Sequence, residues 1–108
     1  MILSTTDTIP GREIAATIGL VRGSTVRCCH LGDDVQAWFK NLVGGEIEEY
    51  TRLAGQAREQ ALDRMIEEAR AREADAVVGV RFSSCEIDTG AAEFLVYGTA
   101  VKLEPKKS

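Results

Sequence analysis

The sequence has little of what most functional classes need. Only three cysteines, Cys28, Cys29 and Cys85, occur in 108 residues. An odd count with two adjacent members is not a disulfide framework, because so short a ring strains the S–S geometry. Reduced thiols are the expectation. Bases are also short: 13 Lys and Arg stand against 17 Asp and Glu, a net charge of −4. That excludes a nucleic-acid partner bound through phosphate neutralisation. No apolar run approaches the ~20 residues that cross a bilayer, so no membrane role is expected. The start, Met1-Ile2-Leu3-Ser4-Thr5-Thr6, lacks the basic residues and apolar stretch of a secretion signal. A cytoplasmic location follows as an expectation. Repeats, linkers and low-complexity segments are missing too.

Catalytic patterns are equally thin. The serines have one possible partner, His30, and no G-x-S-x-G setting. The phosphate-loop pattern G-x-x-x-x-G-K-[ST] does not occur. The acids read as a solvated helix face rather than as a catalytic pair. No enzyme is expected.

What is present is one small domain, with 44% hydrophobic and 28% charged residues. The domain is expected over 1–104, with a basic tail at 105–108. In Arg12–Val26, Ile14, Ala16, Ile18 and Leu20 recur every second residue, as on a half-buried strand. Ile9-Pro10-Gly11 before it reads as a turn, and Gly23 as a bulge or bend. A short helix is then predicted, capped by Asp33 or Asp34, with Val35, Trp38, Phe39, Leu42 and Val43 on one face. Gly44-Gly45 stops it.

A long helix follows from Ile47 to Ala71. Ile47, Tyr50, Ala54, Ala57, Ala61, Met65 and Ala69 step by three or four residues, and the alanines permit close approach. Its other face is charged, with Glu48–Arg52 and Glu68–Arg72 four apart. Residues 46–75 hold nine acids and five bases, so the whole net charge sits there. Two strands complete the chain, Ala76–Phe82 continuing through Ile87, and Glu93–Leu103, with Asp88-Thr89-Gly90 turning between them. The last strand is apolar on both sides: Phe94, Val96, Gly98 and Ala100 on one, Leu95, Tyr97, Thr99, Val101 and Leu103 on the other. Two helices cover two faces poorly. Either the sheet curls on itself or another subunit covers the second face, and the second is favoured. The expectation is an α+β fold of order β-α-α-β-β, with a small antiparallel sheet of about three main strands.

Chemistry is concentrated in Cys28-Cys29-His30. Thiolate and imidazole suit a soft metal such as Zn²⁺ or Cu⁺. Adjacent strand residues point to opposite faces, so one chain offers Cys28 with His30, or Cys29 alone. Cys85, on another strand, can join either set. The plainer and favoured reading makes the cysteines small buried apolar fillers, and His30 a loop residue bonded to the helix start. Gly44-Gly45-Glu46, ahead of Tyr50, resembles an anion pocket at a helix start. However, Glu46, Glu48 and Glu49 already satisfy the dipole there and repel an anion. A turn followed by Tyr50 packing is favoured. Arg58 and Arg64 are read as solvated, or as pairing with acids across a subunit boundary.

Five segments in order carry a resemblance over nearly the whole chain. They are Ser4-Thr5-Thr6 with Ile9-Pro10-Gly11, Gly19-Leu20-Val21-Arg22-Gly23, Gly44–Thr51, Ala74–Phe82 and Tyr97–Val101, with Ala57-Arg58, Ala61 and Arg64-Met65 between. The sequence resembles the YbjQ family of small uncharacterised proteins, which is also labelled heavy-metal-binding. The resemblance implies an α+β subunit that assembles with itself into a ring, a pentamer or stacked pentamers. It implies no established activity. His30 fits the family's pattern at its position, and the cysteines do not.

Overall fold

The computed structural model describes residues 1–28, 47–88 and 91–105. Four strands and one helix are seen in order: β1 (Ile2–Leu3), β2 (Ile14–Cys28), α1 (Ile47–Ala71), β3 (Ala76–Asp88) and β4 (Ala91–Leu103). The class is α+β. The short helix predicted at 33–43 and the turn residues Thr89 and Gly90 lie outside the described residues.

The sheet is mixed rather than purely antiparallel, with strand order β1-β3-β4-β2. β4 pairs antiparallel with β2 on one side and β3 on the other, while β1 runs parallel to the start of β3 through Ile2↔Ala76 and Leu3↔Val77. A two-residue strand has no periodicity to read, and β1 was therefore missing from the expected order. The Ile9-Pro10-Gly11 turn is present: Ile9 bridges Arg12, and Gly11 takes φ +79°.

α1 packs along β2 and β4 on one face of the sheet. Ala57, Ala61, Met65 and Ala69 are fully buried, as their spacing requires. Ala61, Met65 and Ala69 meet Val21, Val77, Val80, Val96 and Ala100 from the sheet. Ala54 and Ala57 pack with Phe94 nearer the helix start. Gly23 is not a bulge: it pairs regularly with Val96. It lets the helix backbone touch the strand, because a Cβ there would lie 2.0 Å from the Ala61 carbonyl oxygen and 2.5 Å from the Met65 nitrogen.

The irregularities sit earlier, between Ile14 and Ala16 and between Thr17 and Gly19, and they break the expected alternation. One extra residue reverses which face the following side chains take. Ala16 is opposite Lys102, whereas Leu20 is opposite Thr99 and turns away from the helix. Val21, Gly23 and Thr25 become the buried side of β2. On β3 an irregularity between Val78 and Arg81 contains Gly79 at φ +63°. There the Gly79 and Val80 amides turn outward and donate to Thr6 and Ser4 carbonyls, each at 2.9 Å.

The helix ends in a paired closure. The Glu73 amide donates to the Arg70 carbonyl at 2.9 Å and the Ala74 amide to the Ala69 carbonyl at 3.0 Å. This is the Schellman arrangement, with Glu73 in the left-handed region at φ 60° where glycine is usual. Asp75 then fastens β3 to β4, accepting from the Leu103 amide at 2.8 Å while its own amide donates to the Val101 carbonyl at 2.9 Å.

Candidate functional site

The sheet face turned away from α1 is the largest feature without an internal role. Directly paired residues on neighbouring strands share a face. The register therefore builds this surface in rows across β2, β4 and β3. They are Leu20–Thr99–Val78, Arg22–Tyr97–Arg81, Ser24–Leu95–Ser83 and Val26–Glu93–Cys85. At one end of the face the N-terminal segment covers it: Ile9 packs on Ala76, Val78, Val101 and Leu103. Beyond that cover the apolar side chains are open. Leu20 is 59%, Val26 51% and Tyr97 37% exposed.

The two arginines flank Tyr97 at the middle of the bare rows. Arg81 is held by the N-terminal segment, donating to the Thr5 carbonyl at 2.7 Å and to the Val80 carbonyl at 2.9 Å. On the helix side of the sheet, Phe82 is also open, at 53%. It lies on β3, beyond the strands that α1 follows.

The expected site residues separate into two groups. Cys29, His30, Gly44, Gly45 and Glu46 lie outside the described residues, and only the backbone of Cys28 and Tyr50 is described. Cys28 closes β2 opposite Ala91, and Tyr50 lies in the first turn of α1. Cys85 is exposed and is therefore not a buried filler. It stands opposite Glu93 on β4, so a thiol and a carboxylate share one row. Cys28 and Cys85 are two strands and two residues apart, a Cα separation of about 12 Å on ordinary sheet spacings. That exceeds what one ion bridges at Zn–S bonds of about 2.3 Å. Among the described residues no three of His, Cys, Asp and Glu converge on a metal-sized point.

The other motif residues have structural work. Gly98 is buried on β4, and a Cβ there would meet Val77 Cγ1 at 2.6 Å. Arg64 is exposed, and its Nη1 donates to the Ser24 carbonyl at 2.6 Å. Arg58 is exposed on the outer side of α1, in a shallow depression with Gly55, Gln56, Glu59 and Asp63. Sequence reading placed Leu20 on a buried side and gave no role to Arg22 or Val26. The two-sided apolar pattern of β4 was the signal that a bare face exists.

Similarity to curated relatives runs from end to end. A UPF0145 protein of Thermosipho melanesiensis is 58% identical over 106 residues, spanning 98% of each chain. One from Archaeoglobus fulgidus is 55% identical over 103 residues, spanning 95% of each. The fold is similar to a crystal structure of a protein of unknown function in the DUF74 family from Pediococcus pentosaceus. That match has a TM-score of 0.65 at 15% identity and covers 96% of this chain and 98% of the other. The family model described as "Putative heavy-metal-binding" matches residues 1–104, and the chain belongs to this family, YbjQ.

Proposed function

We propose that this chain is a homo-oligomeric, ring-forming cytoplasmic protein that binds its ligand between subunits, with five copies to a ring. One observation carries the reading: a sheet face bearing open Leu20, Val26 and Tyr97. Open apolar side chains gathered on one sheet face of a small chain mark an interface. The subunit's form supports it. Its radius of gyration is 17.6 Å, against about 13 Å for a compact chain of this length. Strands of 13 to 15 residues beside one helix make a long slab, and a slab gains by lying against a second slab.

The ligand class is a soft metal, Zn²⁺ or Cu⁺, which the family's description supports. Cys28, Cys29, His30 and Cys85 are the donors proposed. The spacing of Cys28 and Cys85 makes a second subunit necessary if both serve one ion. The competing reading is a scaffold whose ring is itself the functional object, or a binder of small molecules at the interfaces, without metal. The bare face favours assembly under either reading.

Calorimetric titration of the reduced protein with Zn²⁺ or Cu⁺ separates the two. Metal binding predicts affinity lost in the Cys28→Ser/His30→Ala double variant. Equal affinity in the double variant removes the metal and leaves the scaffold. Mass in solution tests the assembly itself.

A further inference from the structure

Among the described residues, β2 lies at the edge of the sheet, with β4 on one side only. Such an edge exposes a row of backbone donors and acceptors that another strand can pair with. Here helix side chains take up several of them. The Ser24 carbonyl accepts from Arg64 Nη1 at 2.6 Å. The Arg22 amide donates to Glu68 Oε2 at 3.4 Å. The Leu20 carbonyl accepts from Arg72 Nη1 at 2.9 Å, and the Ile18 carbonyl from Arg72 Nη2 at 3.4 Å.

The match has a geometric cause. Arg64, Glu68 and Arg72 are four apart and so form one row along α1. Four helical residues rise about 6 Å, and two strand residues about 6.6 Å. The side-chain row therefore keeps step with every second residue of β2, which runs the opposite way. Gly23 makes the reach possible by letting the helix sit directly on the strand. The charges also fit, with cationic donors at the carbonyls and a carboxylate at the amide.

The other edge is different. β1 pairs only with Ala76 and Val77. Ser4 and Thr6 satisfy Val77, Gly79 and Val80. From Arg81 to Asp88, no strand among the described residues pairs with β3 on its outer side.

We propose that Arg64, Glu68 and Arg72 form an edge guard that closes β2 to strand addition. Association is thereby confined to the bare face and the outer edge of β3. The guard stands whether or not the subunits form a ring.

The test is the triple variant Arg64→Ala/Glu68→Ala/Arg72→Ala in the full chain, by sedimentation velocity over a concentration series with circular dichroism alongside. The guard predicts retained secondary structure and association beyond the parent particle, with a mass increase of roughly twofold or more. Adding Ser24→Pro removes an outward N–H and obstructs pairing there, a change an edge strand tolerates. It is expected to return the mass to that of the parent. A helix that merely loses its anchors would show no such reversal. If the triple variant does not fold, Arg64→Ala alone carries the same two expectations. A folded variant that sediments like the parent, or an association that Ser24→Pro leaves in place, overturns the proposal.

Discussion

The two faces of the sheet are built from the same strands and differ in what covers them. On one, Val21, Val77, Val96 and Ala100 are sealed under Ala61, Met65 and Ala69. On the other, Leu20, Val26 and Tyr97 remain open one residue away along the same strands. The covered face explains why the chain folds. The bare face leaves apolar side chains unburied in one copy, and it is where the proposed assembly would place a second. A lone residue of this kind would mean little, since isolated apolar side chains are normal on surfaces. Leu20, Tyr97, half-buried Leu95 and Val26, one in each of four successive rows of one sheet, are a patch.

The comparison can be broken first on the covered face. Gly23→Leu should have the largest effect, because its Cβ would fall 2.0 Å from the Ala61 oxygen. The helix must lift from β2, and a loss of more than about 3 kcal/mol is expected, read by thermal melting. Met65→Ala empties a fully buried site beneath the sheet centre. About 3 kcal/mol should be lost in urea titration, without loss of fold class.

On the bare face the order of effects reverses. Leu20→Ser with Tyr97→Ser should cost the isolated subunit under about 1 kcal/mol. The same pair should dissociate the assembly, seen as a lower mass by light scattering. If it destabilises the subunit as much as Met65→Ala, the face is core and not interface. The smallest change calibrates the scale away from both faces. Glu73→Gly relieves a left-handed residue at the helix end and should add about 1 kcal/mol.

Much of this contrast was legible in the sequence. Alanines at three- and four-residue steps identified the buried stripe of α1. The two apolar sides of β4 announced a second face to be covered. Which side of β2 is buried was not legible, because alternation through Ile14, Ala16, Ile18 and Leu20 assumes an unbroken register. The irregularities at Ile14–Ala16 and Thr17–Gly19 break it, and a bulge is set by pairing with β4, which no local pattern records. Gly23 was noticed but given the wrong role for the same reason: its neighbour is the helix backbone, far away in sequence. The polar row Arg64, Glu68 and Arg72 looked like an ordinary solvated surface, since a side chain that bonds a distant carbonyl has no distinguishing composition. Of the candidate metal donors, Cys85 is open on the bare face. The register separates it from Cys28, so proximity in one chain cannot be read from a shared residue type.

The most direct measurement is the mass of the reduced, metal-free chain in solution at micromolar concentration, by sedimentation equilibrium. The chain itself has a mass of 11.7 kDa. A bare face that serves as an interface requires a defined multiple of that mass, five-fold for a single ring, which falls when Leu20 and Tyr97 become serine. A single species at the mass of one chain would contradict the central claim.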